Sequence, residues 1–370
     1  MKVKIKDKRK ILQFALAVLI VVIILTITFP HILNAVFGNS IKEEIITVTT
    51  DVISEIDVDF TDGCFALYNS QGLKKYNTKG EFETEHYKSA YAPIMNKSGN
   101  YTVLSDTSSS EFTVLKGNTI KYEAKTPQNI KSVTVNKKGY TTVISGETGY
   151  KSLVIVYDNK GEETYRWYSD ESYAVSAKLA DNSKVLAVAS VMMDGNKLIT
   201  VVEQYRLSKE DVLSRVTIED VIPYSLHFDG NRVVLIGSEK AYSISKAGKI
   251  KSEYDYKGRV LECFDAENTD NITLALSEDT GATEIVILSS SLKEKGKTRC
   301  DYLVTMLDEN DGKIAAAGEG SVKIFTDKGS VLAEGDLAKD GKFIVLADKW
   351  RKFAVYSSGY INIFTVERGR

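Results

Sequence analysis

The chain is poor in the residues that punctuate or staple a small fold. Four prolines in 370 residues leave no room for a proline-rich linker. Three cysteines, Cys64, Cys263 and Cys300, cannot build a disulfide scaffold. Three scattered histidines, His31, His86 and His227, come with neither an HExxH nor a Cys-x-x-Cys spacing, so no metal centre is legible. An excess of positive charge is missing too: the formal net charge is −2, which excludes a broadly basic nucleic-acid binder. What is present is 43% hydrophobic and 26% charged, enough to bury a sizeable core.

The charge is unevenly spread. Residues 1–10 hold six basic side chains and one acid, and from Ile11 to Ile41 there is no charge at all. That leaves 42 basic and 49 acidic side chains in 42–370. Ile11 to Phe29 is an apolar run of 19 residues in which only Gln13, Thr26 and Thr28 are polar. As a helix it spans about 28 Å, close to the hydrocarbon thickness of a bilayer. A cleaved signal peptide would have a shorter apolar run and a small-residue cleavage site, whereas Phe29-Pro30-His31-Ile32 follows here. The expectation is an uncleaved anchor, with the basic end in the cytoplasm and the remainder outside. The expected organisation is a basic cytoplasmic stub (1–10), a transmembrane helix (11–29), a linker (30–42) and one extracytoplasmic domain (43–370).

That domain has no sustained helical period. Short β-branched runs such as Leu153–Tyr157, Arg232–Ile236 and Glu284–Leu288 recur between Gly, Asn, Asp and Lys, and read as strands. A turn signature repeats as Tyr76-Asn-Thr-Lys-Gly80, Tyr157-Asp-Asn-Lys-Gly161 and Phe325-Thr-Asp-Lys-Gly329. Ile244-Ser-Lys-Ala-Gly248 is a looser copy, and Phe364-Thr-Val-Glu-Arg-Gly369 looser again. The strong copies lie 81 and 168 residues apart, two and four units of one period. A period near 40 with four strands per unit predicts a β-propeller. Eight units starting near Ser54, Tyr91, Ile130, Tyr173, Ile222, Arg259, Asp301 and Asp340 average about 41 residues; seven would average about 47. Eight is the favoured count and seven the alternative.

Basic stub, apolar segment and Tyr-x-x-Lys-Gly-punctuated repeats together resemble an uncharacterised family of membrane-anchored β-propellers of the Gram-positive bacterial type, of WD40- or quinoprotein-like architecture. The resemblance implies fold and location and carries no activity. No Trp-Asp or Gly-Gly pair links the chain to the WD40 or kelch repeats proper. Thr148-Gly149 and Thr280-Gly281 resemble the quinoprotein repeat without its Trp.

Candidate chemical motifs read as scaffold. Gly296-Lys297-Thr298 ends like a phosphate loop, but Ser291 stands where the loop needs Gly, so it reads as a turn. Asp57-Val-Asp59-Phe-Thr-Asp62-Gly63 and Asp308-Glu-Asn310-Asp-Gly312 resemble halves of a calcium loop with the glycine misplaced; polar turns are expected. Glu162, Glu163, Asp170 and Glu171 cluster about Arg166-Trp167-Tyr168, where a sugar site or a solvated edge strand would fit. The thiols are expected to be free and mostly buried. No catalytic, cofactor-binding or metal-ligating residue is singled out, and no cofactor is implied.

The expected function is noncatalytic binding or scaffolding at the cell envelope, with the membrane and an envelope protein or glycan as partners and no nucleic acid. The competing expectation is a hydrolase or lyase whose site lies at the mouth of the propeller channel. Carboxylates converging there would favour the enzyme, and an apolar patch on one face the binder. Finally, the last unit supplies only three strands, so 43–50 is predicted to pair beside 361–366 and close the ring.

Overall fold

The computed structural model describes residues 39–49, 55–209, 212–267, 271–278 and 281–367. The apolar segment 11–29 and His31 lie outside them. No helix among the described residues is long and apolar enough to cross a membrane; the secondary structure is all strand.

The strands form eight blades of four around a central channel. Blades 1 to 7 occupy 56–86, 93–125, 132–169, 173–219, 223–255, 260–300 and 306–336. Blade 8 takes three strands from 343–367 and its outer strand, Asn39–Thr49, from the other end of the chain. In unit five the sequence predicts strands at Ile222–Phe228, Arg232–Gly237, Ala241–Ser245 and Lys249–Tyr254, and the structure has them at Pro223–Asp229, Arg232–Gly237, Lys240–Ser245 and Ile250–Asp255.

Alternation explains how the blades hold together. Successive side chains of a strand point to opposite faces, and each middle strand has a neighbouring blade on both. In Arg232–Gly237, Val233 and Leu235 pack toward blade 4, while Val234 and Ile236 pack toward blade 6. Such strands therefore read as continuous apolar runs. The buried apolar residues fall into eight clusters, one between each pair of adjacent blades. The cluster joining Phe60, Phe65 and Leu67 of blade 1 to Ala354, Tyr356 and Ile363 of blade 8 completes the ring.

The repeated turn signature ends the third strand of blades 1, 3 and 7, which is why its copies stood two and four units apart. Its glycines, Gly80, Gly161 and Gly329, have φ of 78°, 86° and 81°, where a side chain is strained. The turns from inner to second strand and from third to outer strand lie on one side of the disc, the turn face. The turns from second to third strand and the loops between blades lie on the other, the loop face.

The closing strand runs antiparallel to Tyr360–Glu367, with Ser40 opposite Glu367 and Thr49 opposite Tyr360. Its register shifts between Lys42 and Ile46. It begins at Asn39, earlier than the predicted 43. Those extra residues do separate work: Asn39 and Ser40 pair in parallel with Ala333 and Glu334, so one strand bridges blades 7 and 8. Thr49 ends at the loop face and Asn39 begins at the turn face.

Candidate functional site

Inner strands of all eight blades border a channel cavity of about 370 Å³. Asp57 and Asp59, two apart on one strand, both face it. Asp308 faces it from the equivalent strand of blade 7, and Asp265 and Glu267 from blade 6. The two half-calcium motifs thus occupy the same place in their blades. The expectation of polar turns holds only for Asp62-Gly63 and Asp311-Gly312; it is corrected for the preceding carboxylates, which belong to inner strands.

Several of these polar groups bind the next blade. An Asp57 carboxylate oxygen accepts the Met95 N–H at 2.7 Å. Asn96 Oδ1 accepts that of Val135 at 3.0 Å, and Ser176 Oγ that of Leu226 at 3.1 Å. Asp265 accepts from Glu309 N at 2.7 Å, and Asp308 from Leu346 N at 2.5 Å. Each bond satisfies an inner-strand amide that has no further strand to pair with. The carboxylates here are structural clasps.

A charge cluster remains between them. Lys97 Nζ lies 2.5 Å from Asp59 and donates to the Phe60 carbonyl at 2.7 Å. Glu267 reaches across the ring from blade 6 and accepts from Asn96 Nδ2 of blade 2 at 3.4 Å. Burial pushes Asp57 up to about 7, against the Met95 hydrogen bond. It pushes Asp59 and Asp265 up to about 6. It raises Asp308 strongly, with the Asp265 charge adding to the effect. Burial alone would lower Lys97, but Asp59, Glu267 and Asp308 outweigh it and hold the ammonium charged. His227, buried in the channel wall, is kept neutral by burial and by Lys178, and its Nε2 has no partner among the described residues. Among the described residues no three carboxylate, imidazole or thiol groups converge as metal ligands.

The remaining sequence candidates sit elsewhere. Gly296-Lys297-Thr298 lies in the outer strand of blade 6 rather than in a turn. Gly296 is required because a Cβ there would meet the Lys328 backbone at 2.4 Å. Cys64, Cys263 and Cys300 are free; Cys300 is buried and the other two half-buried. His86 ends the outer strand of blade 1. Arg166-Trp167-Tyr168 lies in the outer strand of blade 3, with Glu163 paired to Arg166.

Sequence reasoning missed one surface feature. Among the described residues, the highly exposed tyrosines are Tyr87, Tyr91, Tyr150, Tyr168, Tyr173 and Tyr224, and all six stand on the loop face. Tyr87 and Tyr91 are 82% and 81% exposed in the loop joining blades 1 and 2. Met193 and Ile222 add apolar surface to the same face. The signal was available: these residues flank the ends of outer strands, the starts of inner ones or, for Tyr150 and Met193, the turn from second to third strand, positions that the blade phase assigns to one side.

The geometry defines an eight-bladed propeller with a clasped, charged channel and a tyrosine-rich loop face. A family model, "Family of unknown function (DUF5711)", matches residues 39–365, and the chain belongs to that family. No curated protein matches. Among solved structures, the chain is similar to the C-terminal WD40 domain of Sif2, at TM-score 0.65 and 13% identity, covering 90% of this chain and 99% of that one. It is similar to the computationally designed Ika8 protein, at 0.64 and 13%, covering 85% and 99%. It is also similar to BamB from Moraxella catarrhalis, at 0.55 and 8%, covering 88% and 99%. These likenesses establish the fold.

Proposed function

We propose that the protein is a noncatalytic binding or scaffolding propeller held at the outer surface of a membrane by residues 11–29, with the loop face as its binding surface. The observation that carries this reading is the gathering of the exposed tyrosines on that face. Tyrosine offers a large, rigid, half-polar contact and is enriched at interfaces. Five carboxylates, Asp57, Asp59, Asp265, Glu267 and Asp308, do converge in the channel, the arrangement expected of the competing enzyme; what weighs against a catalytic use is the channel's own bonding. Its raised carboxylates satisfy amides of the next blade or pair with Lys97, and Glu267 bridges the opening.

The path of the closing strand fits this orientation. Asn39 lies at the turn face, so a tether ahead of it keeps that face toward the membrane and the tyrosines outward. A photo-crosslinking residue at Tyr91 on the full chain in intact cells should give discrete adducts. One at Ile250, at the turn-face end of an outer strand, should not. Adducts from position 250 and none from 91 would overturn the assignment. A robust hydrolytic rate abolished by Asp59→Asn would overturn the noncatalytic reading.

A further inference from the structure

The two halves of the turn face differ in charge. In the segments that join strands there, blades 2 to 5 contribute seven lysines and five acids, and blades 6, 7, 8 and 1 five basic side chains and seven acids. The more basic half lies across the ring from the closing strand, since blade 4 stands opposite blade 8 in a ring of eight.

Two adjoining concavities open on that half. One, of about 540 Å³ between blades 2 and 3, has Lys116, Lys137 and Lys138 in its wall. The other, of about 690 Å³ across blades 3 to 5, has Lys184, Arg206 and Lys246. They meet where Lys138 Nζ reaches the Asn182 carbonyl of blade 4, at 3.5 Å. Among the described residues no carboxylate lines either concavity. The five lysines are exposed and Arg206 is half-buried. Among the described residues only Lys137 of the six forms an ion pair, with Asp181 at 3.2 Å. Both members of that pair are exposed, so it holds the lysine weakly. Asp158, in the turn beside the first concavity, is engaged locally: its Oδ1 accepts the Lys160 and Glu162 amides at 2.8 and 2.9 Å.

We infer that the turn face of blades 2 to 5 docks on the anionic phospholipid headgroups of the bilayer that carries the apolar segment 11–29. Cations on long, flexible stems with no carboxylate beside them complement a layer of phosphates, and each strengthens such a contact about fivefold. They are spread over two open hollows, which fits many headgroups better than one enclosed phosphate. The tether supplies proximity. Nine residues, 30–38, separate the apolar run from Asn39 and can span at most about 35 Å. Lipid is therefore at high effective concentration, and individually weak contacts suffice. The tether fastens the disc at blade 8, and the lysines hold down the opposite rim. This inference rests on the reading of 11–29 as a membrane anchor beside the turn face and names the surface that this face meets.

Lysine labelling reads the contact directly. The full chain is placed in nanodiscs of phosphatidylcholine, with or without phosphatidylglycerol, and acetylation is followed lysine by lysine by mass spectrometry. Lys137, Lys138, Lys184 and Lys246 should label about fivefold more slowly in the anionic discs, and high salt should erase the difference. Lys151 and Lys257, exposed on the loop face, should label alike in both. Lys184→Gln with Lys246→Gln, at exposed turn positions that do not threaten folding, should return Lys137 and Lys138 to their neutral-disc rates. Equal labelling of the turn-face lysines in both discs would overturn the proposal. Protection by millimolar inorganic phosphate in neutral discs would overturn the assignment to lipid. Protection of Lys151 and Lys257 instead would overturn the orientation as well. Unprotected lysines on both faces alongside crosslinks from Tyr91 would retire the docking and leave the loop face standing as the binding surface.

Discussion

Asp57 shows how one residue can be a clasp and a cost at once. Its carboxylate holds the Met95 amide of the next blade, yet burial lifts its pKa from 3.8 to about 7. The folded state therefore keeps a proton that the unfolded chain has released. Its stabilising contribution is full below the unfolded value and is lost as pH rises through about 7. Asp59 and Asp265, raised to about 6, act in the same direction. The thermal midpoint of the propeller should accordingly fall between roughly pH 5 and pH 7.5. In Asp57→Asn, which keeps an acceptor for Met95 and cannot ionise, it should fall less. A scan at both pH values checks this, and an identical decline in the variant would refute it. The sequence placed these carboxylates in turns because their spacing half-fitted a calcium loop. Their period of two was the better guide, since it puts Asp57 and Asp59 on one side of a strand. That the side was a channel, and that its amides lacked partners, depends on the seven other blades and was not legible locally.

Single elements were more legible than contacts. The blade-five strands and the glycine turns were readable because backbone requirements are local: β-branched runs for strands, positive φ for the turns. The closing strand was readable from a deficit, since three strands at the end of the chain implied a fourth elsewhere. Its extension to Asn39 and the parallel pairing with Ala333 and Glu334 were not, because pairing across blades leaves no period in the sequence. Without 39–49, the strand Tyr360–Glu367 becomes an open edge with a row of unpaired backbone groups. Ile46 and Val48 also leave the cluster shared by blades 8 and 1. Deleting 1–49 should therefore lower the melting temperature relative to a soluble 39–370 chain and promote concentration-dependent association. Equal melting temperatures and a monomeric truncated form would show that the closure is dispensable.

The whole molecule is a ring in which every blade leans on two others through one of eight apolar clusters, and no blade contains its own core. Soluble 39–370 should thus unfold in one transition with equal calorimetric and van't Hoff enthalpies. Two resolved transitions would mean that groups of blades stand alone. The closing strand also decides how the disc bears load. A pull on the chain ahead of Asn39, directed away from the turn face, runs along the axis of a strand bonded to Tyr360–Glu367 on both sides of its register shift. Hydrogen bonds loaded that way are sheared together instead of being peeled one at a time. Such a pull is taken as by a lap joint, at the seam that closes the ring.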